Sequence, residues 1–123
     1  MSGRASAWAP SKITKSANGE MCQIRLPGVC TFDRKTTVWA HANGSAAGKG
    51  IGMKSHDLLG SYACAACHDV YDRRVSCDLL RPVVEVAFWE GHARSLVLLI
   101  DKGIVRVERG TVVVSNGEAS PRD

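Results

Sequence analysis

Apolar and polar positions along the chain fall into short blocks separated by turn-formers. Residues 21–30, MCQIRLPGVC, place a Pro-Gly pair between two cysteines, which predicts a short hairpin or knuckle. Residues 35–42, KTTVWAHA, run Thr, Thr, Val and Trp together and predict a strand ending at His41. NGSAAGKGIGMKS, residues 43–55, is rich in Gly and Ser and predicts a mobile loop whose only charges are Lys49 and Lys54. A strand or turn around Leu58–Ala63 should lead into Cys64-x-x-Cys67, with a helix beginning near Cys67. Residues 82–103 predict a helix of about five turns. Val86, Trp89, Ala93, Val97 and Ile100 can share its apolar face, Gly103 can end it, and Gly91 weakens it slightly. IVRVERGTVVV, residues 104–114, alternates and predicts a small hairpin. The flanks are polar: residues 1–19 read as a flexible arm, residues 115–123 as a frayed tail, and residues 20–114 as a single domain. There are no internal repeats.

The length of 123 residues suits one modest core, and 45% hydrophobic with 23% charged residues is ordinary for a globular chain. No run approaches the roughly 18 apolar residues of a membrane span. The opening MSGRASAWAPSKITK lacks the apolar stretch of a signal peptide, so a cytoplasmic location without a membrane partner is expected. The net charge of +4 is unevenly spread: residues 1–60 carry eight Lys or Arg against three Asp or Glu. A basic first half fits a polyanion such as nucleic acid, though many basic surfaces have no such partner. A nucleotide-binding P-loop is excluded. In GSAAGKG three residues instead of four separate Gly44 from Gly48, and Gly50 stands where Ser or Thr would hold magnesium.

Five cysteines in a reducing compartment read as metal ligands before disulfides. Cys64 and Cys67 have the spacing of a zinc knuckle. Cys22 and Cys30 are seven residues apart, and the Pro-Gly turn can close that gap. Together they can form a four-cysteine structural zinc site with no open position for water. Two unconnected buried pairs, or a site completed by His41 or His68, remain open on spacing alone. Cys77 is left over, as a free thiol or a small buried apolar residue. A staple joining the two segments would bring His41 and His68 together across a strand, a loop and a helix. One imidazole could then activate water and the other help hold a divalent ion, the two needs of phosphodiester hydrolysis.

At this point the chain resembles the YbcO-type, prophage-encoded nuclease family, a zinc-stapled relative of the HNH (ββα-metal) nucleases. The resemblance rests on CQIRLPGVC (22–30), WAH (39–41) and ACAACHDVYDRR (63–74) in this order, with ITKSANGEMC (13–22) similar to the family's opening. It covers roughly residues 12–74. It implies an α+β fold, a zinc-stapled ββα-metal unit followed by a long packing helix. It implies that Cys22, Cys30, Cys64 and Cys67 hold structural zinc, that His41 is the general base, and that His68 binds a catalytic Mg²⁺ or Mn²⁺. Asp57, or alternatively Asn43, stands where the middle Asn of HNH would be sought, to orient His41 or join the ion. Ala40 departs from the Asp or His that many HNH enzymes carry before the first His.

The implied function is a metal-dependent DNA endonuclease or nickase of phage or prophage origin, acting in recombination or DNA processing in the bacterial cytoplasm. DNA is then the partner, with recombination proteins as further candidates. The alternatives are a non-catalytic zinc module that binds DNA or protein, and a structural protein with no nucleic-acid role. Lys49, Lys54, Arg73 and Arg74 are candidate phosphate contacts, although Arg73 and Arg74 also fit an ordinary solvated helix face. Asp72 shares a helix face with His68 and could join the ion or pair with an arginine. Asp69 is one position from His68. His56 reads as a loop residue, His92 as helix surface or core, and Trp39 as core rather than a base-stacking platform like Trp8. The apolar face of the long helix could mediate a dimer if exposed.

Overall fold

In the computed structural model, which describes residues 11–43 and 57–114, the chain is α+β and is built around two small antiparallel sheets. The order is α1 (Lys12–Lys15), a 3-10 turn (Arg34–Thr36), β1 (Val38–His41), β2 (Gly60–Ala63), α2 (Ala65–Tyr71), α3 (Arg81–Asp101), β3 (Val105–Glu108) and β4 (Thr111–Val114). β1 pairs with β2 in the register Trp39↔Tyr62 and His41↔Gly60, and β3 pairs with β4 as a hairpin. Lys49, Lys54, His56, Trp8 and the tail lie outside the described residues.

α3 lies against β2, and two small residues allow the close approach. At Gly91 an added Cβ would sit 2.6 Å from Ser61 Oγ and 2.9 Å from the Gln23 carbonyl. Ser95 Oγ donates to the Gly91 carbonyl (2.7 Å) and accepts from the Tyr62 N–H (3.0 Å), so a helix side chain satisfies a strand amide. Arg94 donates from Nε and Nη2 to the Gln23 carbonyl at 3.1 and 2.5 Å, and the Gln23 N–H donates to Tyr62 O at 2.9 Å. The 21–30 segment is thereby fastened to both the sheet and the helix.

The core has two parts. One gathers Cys22, Ile24, Leu26, Cys64, Cys67, Tyr71, Val84 and Phe88, with the Tyr71 and Phe88 rings stacked at 4.0 Å. The other gathers Ile13, Ala17, Trp39, Tyr62, Leu99, Ile104 and Val105. Its Trp39 and Tyr62 rings meet edge to face at 5.3 Å. The C-terminus of α3 closes through Gly103, at φ 76°, with Ile104 N–H bonding Leu99 O and Gly103 N–H bonding Ile100 O.

Three expectations need correction. The helix expected near Cys67 starts at Ala65, because Cys64 already serves as its N-cap. Residues 11–19 do not read as a free arm: Ile13 and Ala17 are buried, and Ser16 Oγ lies 2.7 Å from Tyr62 Oη. The long helix exists, but its buried side is Val84, Phe88, Gly91, Ser95 and Leu99. Of the apolar face read from the sequence, Val86, Ala93, Val97 and Ile100 are exposed and Trp89 is half-buried. Apolar periodicity does not mark the packed stripe because the strands approach α3 at Gly91 and Ser95, where close contact needs small side chains.

Gly91→Ala provides a sign test. At an open helix site Ala stabilises over Gly by up to about 1 kcal/mol. At Gly91 the collision with Ser61 and Gln23 should instead destabilise by about 1–3 kcal/mol, read as a lower midpoint in chemical denaturation.

Candidate metal centre and histidine cluster

The four cysteines reach one point from two directions. In 21–30, Pro27-Gly28 turns the chain, with Val29 N–H on Leu26 O at 3.1 Å and Gly28 at φ 72°. This returns Cys30 toward Cys22. Arg25 takes a left-handed φ of 56°, held by Nε on the Cys22 carbonyl (3.2 Å) and Nη2 on Gln23 Oε1 (3.1 Å). From the other side, the end of β2 and the first turn of α2 deliver Cys64 and Cys67. The four Sγ atoms all lie within 4.8 Å of one another, and Cys64 and Cys30 Sγ are 3.8 Å apart. A tetrahedral zinc with Zn–S of about 2.3 Å requires sulfurs about 3.8 Å apart.

Backbone N–H groups already aim at the sulfurs. Leu26 N–H points at Cys67 Sγ (3.5 Å), those of Arg25 and Ile24 at Cys22, that of Phe32 at Cys30, and those of Cys67 and Thr31 at Cys64. Such donors favour thiolate over thiol. The Cys22 thiol is drawn down to about 5, chiefly by a hydrogen bond with Cys67, against burial and with help from the backbone. The Cys67 thiol is pushed up by that same bond and by burial. Burial pushes Cys30 up to about 12. At Cys64 burial is the largest influence and raises the value, but the hydrogen bonds from Cys67 and Thr31 outweigh it and the net shift is downward. Four crowded thiols oppose one another's ionisation, and a bound dication removes that conflict. The donor set fits a metal ion such as zinc, and the two-unconnected-pairs arrangement is not what the fold adopts.

One histidine, His68, directly follows a cysteine of this cluster, and the other, His41, ends β1. His41, at the end of β1, places Nε2 2.6 Å from Asp57 Oδ1. Asp57 is held in turn by its carbonyl, which accepts from Trp39 Nε1 at 2.8 Å. His68, one residue past Cys67, places Nε2 3.0 Å from Asp72 Oδ2 across one helical turn. Asn43 bridges toward it: Nδ2 donates to Asp72 Oδ1 at 2.9 Å, and its N–H donates to Tyr71 Oη at 2.8 Å. Burial, the largest influence, raises the Tyr71 phenol above its usual range, so it remains a neutral hydroxyl. Arg74 closes the group, with Nε on Asp69 Oδ1 and Nη1 on Asp72 Oδ2, both at 3.0 Å, and Nη2 3.4 Å from His68 Nδ1. Both members of the His41–Asp57 pair are partly exposed, at 41% and 40%.

The family resemblance offers Asp57 and Asn43 as alternatives for one position; the fold sets Asp57 at His41 and Asn43 at the Asp72 partner of His68. Arg73 is exposed and makes no ion pair among the described residues. His92 was not marked as a site residue, yet its Nδ1–H donates at 2.8 Å to the carbonyl of Gly60, the strand partner of His41. The signal for it was its place on the Phe88–Ser95–Leu99 side of α3. Cys77 is a free, half-buried thiol in a cleft of about 260 Å³ with Arg73, Leu79 and Arg81.

Fold and site together define a small α+β protein with a four-cysteine cluster that could hold a metal ion, and two carboxylate-paired histidines, one of them directly after Cys67. The family model described as "Putative nuclease YbcO" matches residues 11–104. "Putative nuclease YbcO" of Escherichia coli (strain K12) and "Putative nuclease ybcO" of Enterobacteria phage 82 are each 38% identical over 94 residues, 76% of this chain and 96% of theirs. "Structure of a putative bacteriophage protein from Escherichia coli str. K-12 substr. MG1655" superposes with a TM-score of 0.62 at 36% identity, over 73% of this chain and 98% of that one. The chain belongs to the YbcO family. No helix among the described residues is long and apolar enough to cross a membrane.

One zinc per chain is expected by elemental analysis, lost on replacing Cys22 or Cys67 by Ser and unchanged by Cys77→Ser. Metal binding requires the thiolates, so affinity must fall as pH falls. Zinc retained after Cys67→Ser with full affinity would contradict the assignment.

Proposed function

We propose that this protein is a metal-dependent DNA endonuclease, a nickase in its simplest form, with a structural zinc at Cys22, Cys30, Cys64 and Cys67. The observation that carries this reading is the pairing of each histidine with a carboxylate, one pair at the end of β1 and the other on α2 beside the cysteine cluster. The succession β1–β2–α2 supports reading the unit as ββα-metal and HNH-like, and membership of a family named for nucleases supports the reaction class.

In this mechanism Asp57 accepts from the Nε2–H of His41 and so holds the tautomer that leaves Nδ1 to take a proton from the attacking water. His68 Nε2 and Asp72 Oδ2 would hold Mg²⁺ or Mn²⁺. The two atoms lie 3.0 Å apart, close enough for both to hold one hard cation, which would supply charge stabilisation at the scissile phosphate. Asn43 and Arg74 orient Asp72, and Arg73 is a phosphate contact, with Lys49 and Lys54 as further ones in the 44–56 segment. A role in phage DNA recombination or processing, beside recombination proteins, in the bacterial cytoplasm, extends the same reading.

A second reading is favoured by Ala40. It is fully buried, so the position before His41 offers no ligand. On that reading the protein is a zinc module that binds DNA or protein without cutting.

Plasmid nicking separates the two. Wild type should nick supercoiled DNA with Mg²⁺ or Mn²⁺ and not with EDTA. His41→Ala and His68→Ala should abolish nicking, and Asp57→Asn should slow it by on the order of 10²–10³-fold, all with zinc content intact. No cleavage of duplex, single-stranded or branched DNA by zinc-loaded protein would overturn the nuclease reading and leave the binding module.

A further inference from the structure

α3 presents a second apolar stripe away from the domain. Val83, Val86, Val97 and Ile100 are 43%, 58%, 57% and 48% exposed. With Glu90 and Ala93, both exposed, they occupy positions 83, 86, 90, 93, 97 and 100. The steps alternate three and four, which is the a/d seam of a coiled coil. An ordinary surface helix carries charged and polar residues on its outer face. Here the length of that face carries one charge, Glu90, with Asp101 at its very end.

The stripe is self-complementary in one orientation. Turned end for end about a point between Glu90 and Ala93, it sets Val83 against Ile100, Val86 against Val97 and Glu90 against Ala93. These are the a-to-d layers of an antiparallel pair. Charge points the same way. Glu90 has no ion pair among the described residues, and the Arg94 guanidinium bonds a backbone carbonyl and no carboxylate. In the antiparallel pair each Glu90 faces the partner's Ala93 and reaches toward the partner's Arg94, twice by symmetry. A parallel, in-register pair would stack Glu90 on the partner's Glu90 and be opposed by like charge. Trp89 and Leu96, both half-buried, flank the seam on one side and widen its apolar area.

We propose that α3 docks antiparallel against α3 of a second copy of this chain, about a two-fold axis beside Glu90 and Ala93. The stripe lies opposite the buried side of α3, so docking leaves the cysteine cluster and both histidine pairs untouched. This proposal does not depend on the nuclease reading.

Sedimentation equilibrium of the full, zinc-loaded chain over a wide concentration range tests it. The expected mass is twice that of the 13.2 kDa chain. Val86→Glu and Val97→Glu alter only exposed positions, so circular dichroism and zinc content should hold while the dimer dissociation constant rises on the order of 10–100-fold or more. Ala93→Lys should tighten the dimer several-fold, because lysine lands opposite Glu90 in both copies. A monomer at every concentration overturns the proposal, as does a dimer indifferent to both glutamate substitutions. A dimer weakened by Ala93→Lys overturns the antiparallel register.

Discussion

Four sulfurs from two distant segments meet within 4.8 Å, and most of the first two-thirds of the molecule is arranged by that meeting. Residues 22–30 form no regular strand or helix. Their shape depends on the Pro27-Gly28 turn, the left-handed Arg25, and the backbone N–H groups directed at sulfur. Without a shared ion, three buried thiols and the half-buried Cys30 would be a poorly satisfied polar knot. With one, the same N–H groups become donors to thiolates, and metal binding becomes folding free energy. Cys64 also caps α2, so the cluster fixes where that helix begins and hence where His68 stands.

The rest of the site depends on how α3 and the β1–β2 pair hold that cluster. Arg94 fastens the Gln23 carbonyl, and Ser95 takes the Tyr62 amide. His92 donates to the carbonyl of Gly60, the strand partner of His41. Trp39 faces Tyr62 within the core and spends its indole N–H on the carbonyl of Asp57. A core residue therefore positions the carboxylate that holds His41. Packing and site geometry are coupled here, and damage to α3 contacts should loosen His41 as well.

Much of this was legible in the sequence for identifiable reasons. The cysteine spacings, the Pro-Gly turn and the β-prone run ending at His41 are local signals. They led to the cluster, to the strand pair and to the family. The length of α3 and its Gly103 ending were legible for the same reason. The buried face of α3 was not, because it is chosen by two small residues, Gly91 and Ser95, that apolar periodicity passes over. The pairing of Asn43 with Asp72 was also beyond reach, and Asp57 as the partner of His41 was offered only by the family resemblance, with Asn43 as its alternative. Each spans a tertiary contact whose geometry depends on how the strands pair, and no spacing rule separates the two candidates. The burial of Ile13 and Ala17 was masked by the polar residues around them.

The central claim is that one metal ion, held by four sulfurs and no histidine, organises the site and leaves both imidazoles free. X-ray absorption at the zinc edge of the purified protein tests it most directly. The account predicts a single shell of four sulfurs at about 2.3 Å. A nitrogen in that shell would place His41 or His68 on the structural ion, and the division between a staple and a reactive pair of histidines would fail.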